Sequence, residues 1–425
     1  NSRSKLRVRR YFLDRLNQIN PGERYDLSLV NSTYNRFNNV NLFTGTNIRF
    51  DEVESADSTK GLVDCQIRLT PSKRQGYTLN LELSSNSNSL FGISPAVSYF
   101  HKNLFRGGEW LNLGFMGNFQ MNLNNMVKST ELGVSASLSI PDFLFLPEIY
   151  LSGMANTLPR TDMKMLYNYQ DRPEFTRTLV SAAYGYSWRR GKTTSYNLYP
   201  LQLSIVRLKN ISSTFYQSLE NPFIRNSYRN YFDLGAGFSI NYISNPDPDT
   251  RESVVKIRWN NDIAGNVISI FDSSFKRDST GARLIGNTPY SQYLKSDFTI
   301  SYTTWITEKS ALAFRFNGGI GYAYGNSRSM PFEKLFYAGG ANSLRGWQAR
   351  SVGPGYSQID TTFSIPNQTG DIKLEVNAEY RFPIINKFEG ALFLDAGNVW
   401  TVKRENTAVS GNFSFGSFYR NIAFN

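Results

Sequence analysis

Residues 232–242 read FDLGAGFSINY, and their pattern gives the clearest indication of the fold class of the chain. Every second residue is apolar or aromatic, while the residues between them are Asp, Gly, Ser or Asn. Successive side chains of a β-strand point to opposite faces of a sheet. The stretch therefore predicts a strand with one apolar face and one polar face.

The same alternation recurs from Tyr77 to the C-terminal part of the chain. Counting by this criterion gives about thirteen strands, which lie near residues 77, 93, 111, 131, 164, 179, 201, 231, 254, 297, 311, 372 and 390. A further strand is predicted to begin at Asn421. The chain stops at Asn425 inside that strand, so we expect further strands to follow, because an open edge in lipid leaves backbone groups unpaired.

Two architectures accommodate such strands, a soluble antiparallel sandwich and a transmembrane β-barrel. Several segments are about ten residues long, the length that crosses hydrocarbon at a tilt. Their second face carries charges and glycines, and aromatic residues gather near segment ends, as in a membrane-interface girdle. The sequence also lacks an apolar run of about 18 residues, as a spanning helix would require. These features favour the barrel.

The first part of the chain has a different pattern. Tyr25–Asn39 carries apolar residues at helical spacing, and Thr46–Phe50 and Leu62–Leu69 are predicted to form a hairpin. We therefore expect a compact α+β domain over residues 1–74 and the barrel over residues 75–425. The N-terminal residues lack the apolar core of a signal peptide, so we expect a leader to precede them in an exported protein.

The content of reactive residues argues against an enzyme. The chain has one Cys and one His, which excludes a disulfide framework and argues against structural zinc. Cys65 alternates with Val63 and Ile67, so it is predicted to be a buried core thiol. His101 is the only imidazole, and no Ser has a matching partner, so we predict no catalysis, no metal and no cofactor.

The formal net charge of +12 does not by itself indicate nucleic-acid binding. Lys and Arg are scattered singly through the polar faces instead of clustering with stacking aromatics. Cations on a solvated barrel interior, or near anionic lipid, account for the same charge. We therefore predict that the chain does not bind nucleic acid.

A long glycine-rich segment, residues 331–369, separates the strands near 311 and 372, and we call it the lumen loop. Loops of this length are usually functional. It contains FYAGGANSLRGW at residues 336–347. Arg345 needs a carboxylate if it lies inside a barrel, because an unpaired guanidinium away from bulk water is costly. The alternation places Glu379 and Asp395 on the inner face of the next two strands, so we predict that both bind Arg345; the alternative is a merely solvated Arg345.

This segment resembles the signature of the BamA/TamA superfamily of outer-membrane assembly factors, (Val/Leu/Ile)-Arg-Gly-(Phe/Tyr/Trp). The signature residues are Gly339, Gly340, Ser343, Leu344, Arg345, Gly346 and Trp347. EYRFP at 379–383 and FLDAGNVW at 393–400 resemble the two strands that follow it in the superfamily, and NLFRGGE at 103–109 resembles the turn after the second barrel strand. The stretches YDLSLV at 25–30, DCQIRLTP at 64–71 and QDRPEFT at 170–176 look most like TamL, the lipoprotein-type relative of TamA.

The resemblance implies a fold and a set of partners. Residues 1–74 resemble a periplasmic POTRA domain, and the barrel is implied to have about 16 strands when complete. A client strand would pair at a weak seam between the first and last strands. The implied partners are outer-membrane lipid and lipopolysaccharide, client outer-membrane proteins, and a periplasm-spanning TamB-like protein at the POTRA region. The implied location is the outer membrane of a Gram-negative bacterium.

Two other functions remain open on the sequence alone. One is a BamA-type core insertase. The other is a two-partner secretion transporter that exports one polypeptide through the barrel and carries a plug helix ahead of its POTRA domains. A passive porin would lack both the POTRA-like domain and the Arg345 signature.

Overall fold

The computed structural model describes residues 8–53, 61–85, 90–122, 128–145, 158–218, 228–247, 251–356, 368–385, 388–402 and 411–425. An N-terminal module of two helices and one hairpin precedes a large antiparallel sheet. The elements of the module are α1 (Arg10–Leu16), α2 (Leu27–Asn39), β1 (Phe43–Val53) and β2 (Leu62–Pro71). The predicted helix and hairpin are therefore present.

The helices of the module pack on one end of the hairpin. Asp26 caps α2 by accepting a hydrogen bond from the Ser28 backbone N–H at 2.7 Å. Phe37 of α2 joins Phe12 and Leu16 of α1 in a buried apolar cluster with Val40 and Leu42. Ile67 and Leu69 of β2 pack against this cluster, so the core lies where β2 ends.

The prediction of a buried Cys65 is wrong, because its thiol lies on an exposed part of β2. Val63, two residues earlier on the same face, is 46% exposed. The period-two pattern identified the apolar face of the strand correctly, but the cluster covers that face only near Ile67 and Leu69. Alternation shows which side chains share a face and not how far the covering helices extend.

Fourteen strands form one antiparallel sheet, in which each strand pairs with the next of these strands along the chain. They are β3 (Gln75–Ser85), β4 (Leu90–His101), β5 (Trp110–Asn122), β6 (Lys128–Ile140), β7 (Arg160–Asp171), β8 (Thr176–Arg190), β9 (Thr194–Lys209), β10 (Tyr231–Ile243), β11 (Val254–Ala264), β15 (Tyr293–Trp305), β16 (Ala311–Ala323), β17 (Ile372–Ile385), β18 (Phe388–Trp400) and β19 (Ala423–Phe424). All thirteen predicted strands are confirmed. The fourteenth begins at Ala423 instead of Asn421, because Phe418–Asn421 forms a 3-10 turn.

The outer face of this sheet is apolar and exposed. Strand register aligns one row of side chains across β3 to β8, namely Leu79, Val97, Phe115, Val134, Tyr167 and Val180. Each of these side chains is 43–66% exposed. On the opposite face Asn168 and Asn377 are only 5% and 6% exposed. Apolar residues outside and polar residues inside reverse the pattern of a water-soluble protein, which contradicts the sandwich alternative.

The two ends of the sheet carry different structures. At one end α1 contacts the β4–β5 turn, where Arg9 N–H donates to the Arg106 carbonyl at 2.8 Å, and Arg15 pairs with Asp142 at 2.6 Å. The other end carries the longer connections, including α3 (Ser213–Ser218), α4 (Asn266–Ser269), β12 (Lys276–Arg277), β13 (Arg283–Ile285), β14 (Thr288–Pro289) and the lumen loop. Within the described residues, no helix has the length and hydropathy needed to cross a membrane.

Candidate functional site

The lumen loop runs from its entry at Pro331 to the start of β17, and residues 357–367 of it lie outside the described part of the chain. Phe336 pairs with Gly370, and Ala338 pairs with Val352, so the two arms of the loop lie side by side. Leu344 is fully buried in an apolar cluster with Phe336, Ala338, Val352 and Val399. The signature thus lies against the inner side of β18 and not in free solvent.

A glycine-dependent turn places the signature residues. Gly339 and Gly340 have φ values of 98° and 99°, in the region that favours glycine. A Cβ atom on Gly339 would overlap the Gln348 carbonyl oxygen. The Gly340 N–H donates to the Trp347 carbonyl at 2.8 Å, which closes the turn.

Ser343 connects this turn to the barrel wall. Its hydroxyl accepts a hydrogen bond from the Gly339 N–H at 3.0 Å and donates to the Glu375 carboxylate of β17. Glu375 is 1% exposed and also pairs with Lys373 at 3.0 Å. A buried carboxylate needs such partners, because its charge is poorly solvated inside a protein.

Arg345 contacts both predicted carboxylates at once. Its Nε donates to Asp395 Oδ2 at 2.9 Å, and its Nη2 donates to Asp395 Oδ1 at 2.8 Å. Its Nη1 pairs with Glu379 Oε2. The guanidinium also lies over the Phe393 ring, 3.8 Å from its centroid. We call this set of contacts the Arg345 clasp.

Three polar residues that were not singled out from the sequence extend the clasp. Asn377 donates to Asp395 Oδ1 and to the Ser343 carbonyl, each at 2.8 Å. Arg315 donates to Asn377 Oδ1 at 2.9 Å and to the Asn342 carbonyl at 2.7 Å. Arg381 pairs with Glu379 at 2.5 Å. The sequence could have indicated Arg315, Asn377 and Arg381, because the period-two alternation places all three on the inner face with Glu379.

The last two signature residues reach β19. The Trp347 indole Nε1 donates to the Phe424 carbonyl at 3.1 Å. A Cβ atom on Gly346 would overlap the Asn425 side chain, so the two residues lie in close contact. Asn425 in turn exchanges two backbone hydrogen bonds with Asp395, both 3.0 Å. The signature therefore contacts three neighbouring strands, β17, β18 and β19.

All nine predicted site residues lie in this one region. Its contacts are hydrogen bonds, ion pairs and apolar packing, and they hold a loop against a wall. In the ranges that the structure describes, no group of three or more His, Cys, Asp or Glu side chains is arranged to hold a metal ion.

Comparison with known proteins identifies the family. Residues 75–419 match the Omp85 superfamily domain. Among curated proteins, the outer membrane protein assembly factor BamA of Neisseria meningitidis serogroup B (strain ATCC BAA-335 / MC58) is 35% identical over 91 residues. That stretch is 20% of this chain and 11% of the Neisseria protein, so only a small part of the relative is matched.

Three solved structures share the fold. BamA from Haemophilus ducreyi lacking POTRA domains 1-3 aligns with a TM-score of 0.61 and 17% identity over 93% of this chain and 70% of that chain. CdiB from Acinetobacter baumannii aligns with a TM-score of 0.56 and 13% identity, over 94% of this chain and 63% of the CdiB chain. CdiB from Escherichia coli aligns with a TM-score of 0.54 and 12% identity, over 95% of this chain and 65% of the CdiB chain. At such identities the alignments show the fold alone.

The match to the superfamily domain begins with β3 and extends past β18. It therefore includes thirteen of the fourteen strands of the sheet, the lumen loop and both carboxylates of the Arg345 clasp. Because this match covers most of the 425 residues, the chain belongs to the Omp85 superfamily.

Proposed function

We propose that this protein is an outer-membrane protein assembly and insertion factor of the translocation and assembly module type, most similar to TamL. In this proposal the sheet belongs to a barrel in the outer membrane of a Gram-negative bacterium. The N-terminal module is a POTRA domain in the periplasm. Membership of the Omp85 superfamily and the exposed apolar rows of the sheet support this placement.

The Arg345 clasp is the observation that carries the proposal. It ties the lumen loop to β17 and β18 through a side chain that makes bidentate contacts with Asp395. The lumen loop would hold β17 and β18 in register while a client strand pairs at another strand of the sheet. The edge strand β3 supplies a pairing surface, because within the described residues only β4 pairs with it. Strand pairing and burial of apolar faces in lipid supply the free energy without a cofactor.

The proposed partners follow from exposed surfaces. The outward apolar rows suit lipid and lipopolysaccharide. The N-terminal module exposes Tyr25, Leu27, Leu62 and Val63, which are 46–59% exposed. Exposed apolar side chains of this kind suit a docking partner, for which we propose a TamB-like periplasmic protein.

The test is folding of a client barrel in proteoliposomes that contain the full-length protein. A urea-denatured outer-membrane protein is added, and its folded fraction is followed by heat-modifiable gel mobility. We expect faster folding with the wild-type protein than with empty liposomes, and a loss of that acceleration in Arg345→Ala. Equal client folding with and without the wild-type protein would contradict the proposal.

Depletion in cells separates this proposal from the two alternatives. Loss of a translocation and assembly module should lower a subset of outer-membrane proteins. Loss of a core insertase should lower nearly all of them. Loss of a two-partner secretion transporter should abolish one secreted polypeptide and leave the outer-membrane proteome unchanged. Quantitative proteomics of the outer membrane and of the culture medium distinguishes the three results.

A further inference from the structure

A basic cavity lies on the inner wall, in the half of the sheet nearer the N-terminal module. Its volume is about 650 Å³. Five cationic side chains line it, Arg189, Lys192, Lys256, Arg258 and Arg315, and none of the described lining residues is Asp or Glu.

Strand register explains why these residues meet. One lateral row crosses six strands and consists of Arg189, Ser195, Asn241, Arg258, Thr299 and Asn317. The neighbouring row contains Lys256, Ser301 and Arg315. The cations of the cavity thus come from three strands, β8, β11 and β16, and from the turn between β8 and β9.

Lys256 and Arg258 of this cavity differ from several other cations of the inner face. Lys334 pairs with Asp262 at 3.2 Å, Arg177 pairs with Glu333 at 2.8 Å, and Arg345 has two carboxylates. Within the described chain, by contrast, Lys256 and Arg258 form no ion pair. A concentration of unneutralised positive charge in a recess attracts anions, because low-dielectric walls focus the field.

An unpaired hydroxyl provides a second observation at the same place. Thr299 is 9% exposed and lines the cavity between Arg258 and Asn317. Its Oγ1 has no hydrogen-bond partner among the described residues. Buried polar atoms normally have a partner, so this hydroxyl indicates a place for one.

The cavity continues toward the N-terminal module. A second cavity of about 400 Å³ shares Arg189 and Ser195 with the first and adds Arg36 and Arg160. It too has no acidic side chain among its described lining residues. Arg36 belongs to α2, and its Nε is buried without a hydrogen-bond partner. Together the two cavities form an elongated basic track from the N-terminal module into the lumen.

We propose that this basic track binds an extended, acidic polypeptide segment. Carboxylates of the segment would pair with Lys256 and Arg258, and its backbone would exchange hydrogen bonds with hydroxyl and amide side chains such as Thr299 and Asn241. A lipid is a poorer ligand, because its acyl chains would lie against a polar wall. The proposal concerns binding by the purified protein and does not depend on the assembly activity.

The test is fluorescence anisotropy with a fluorescein-labelled peptide that carries six glutamates, measured on the full-length protein folded in detergent. We expect saturable binding that weakens as salt is raised. Lys256→Gln/Arg258→Gln should weaken binding by roughly tenfold, because the variant removes two ion pairs with the peptide and each solvent-accessible ion pair contributes modestly to the binding free energy. Lys276→Gln/Arg277→Gln removes the same charge from exposed β12, outside the track, and should bind as the wild type.

Heat-modifiable mobility shows that each variant is folded before binding is compared. The conservative variant Arg258→Lys should keep most of the affinity, because it retains the charge. Absence of peptide binding by the folded wild type would overturn the proposal. So would equal weakening in both double variants, which would indicate net charge alone. Tighter, Lys256- and Arg258-dependent binding of a twelve-nucleotide oligothymidylate would assign the track to nucleic acid instead.

Discussion

Arg345 and Asp395 share three hydrogen bonds, two through the guanidinium and one from the Arg345 backbone N–H to Asp395 Oδ2 at 3.0 Å. Asp395 is fully buried, and its own backbone pairs with Asn425 of the adjoining chain segment. A single residue of β18 therefore holds the lumen loop with its side chain and the β19 segment with its main chain. Loss of the Arg345 side chain would leave the buried Asp395 carboxylate without its main source of stabilisation.

Arg345→Ala should lower the stability of the folded protein by about 2–5 kcal/mol, because the Asp395 carboxylate stays buried without a cation. The expected value lies toward the lower bound, since the Arg345 side chain is 24% exposed. The measurement is the temperature at which half of the protein migrates as unfolded in a heat-modifiability assay. Arg381→Ala is the matched control, because Arg381 also contacts Glu379 but is 52% exposed and should matter less. Equal midpoints for the two variants would show that Arg345 contributes no more than the exposed ion pair of Arg381.

Gly339→Ala should disturb the loop more than an ordinary glycine substitution. The left-handed conformation costs an alanine about 1–2 kcal/mol, and a Cβ there also overlaps a backbone oxygen. Gly281 separates the two effects, because it has φ of 84° and open space around its Cβ position. We expect Gly281→Ala to retain wild-type protease resistance of the lumen loop and Gly339→Ala to lose it. Matching digestion patterns for these variants would count against the described turn.

Trp347→Phe should loosen the contact between the lumen loop and β19 while leaving the ring in place. The substitution removes the indole donor to the Phe424 carbonyl, a bond worth about 0.5–1.5 kcal/mol. Hydrogen exchange measured by mass spectrometry should quicken in peptides that contain residues 420–425. A peptide from β17 serves as the internal reference and should be unchanged. Unaltered exchange at residues 420–425 would mean that the indole does not hold this segment.

Cys65 should react with a maleimide in the folded protein, because its thiol is exposed. Partial burial raises the pKa of Cys65 above its ordinary value, so the thiolate fraction at neutral pH is lower than that of a free thiol. Labelling should therefore be slower than that of glutathione at pH 7 and accelerate as pH rises toward the raised pKa. Labelling only after denaturation would restore the buried placement that the sequence suggested.

The sequence predicted the strands well because each one repeats its signal over about ten residues. It also located the clasp, since a buried guanidinium needs carboxylates and the alternation put Glu379 and Asp395 on the inner face. The same alternation also placed Asn377 and Arg315 on the inner face. Their hydrogen bonds to the lumen loop, however, depend on the distances between the strands and the loop. Those distances come from register, which a single-strand pattern does not contain.

Shorter elements were missed for related reasons. Helix α1 has seven residues, and its only signal is the pair Phe12 and Leu16 at helical spacing. The strands β12, β13 and β14 have two or three residues each, too few for any periodicity. The exposed position of Cys65 depended on where α1 and α2 end over the hairpin, a tertiary property that no local pattern reports.

A nitroxide scan along β6 in lipid bilayers tests most directly whether the apolar face of the sheet contacts lipid. Single cysteines are introduced at residues 131–138 in a Cys65→Ser background, and collisions with oxygen, which dissolves in lipid, are compared with those of a water-soluble nickel complex. We expect high oxygen accessibility at Leu132, Val134, Ala136 and Leu138, and high nickel accessibility at the positions between them. Equal accessibility at neighbouring positions, or an alternation of the opposite phase, would contradict the placement of the apolar face against the bilayer.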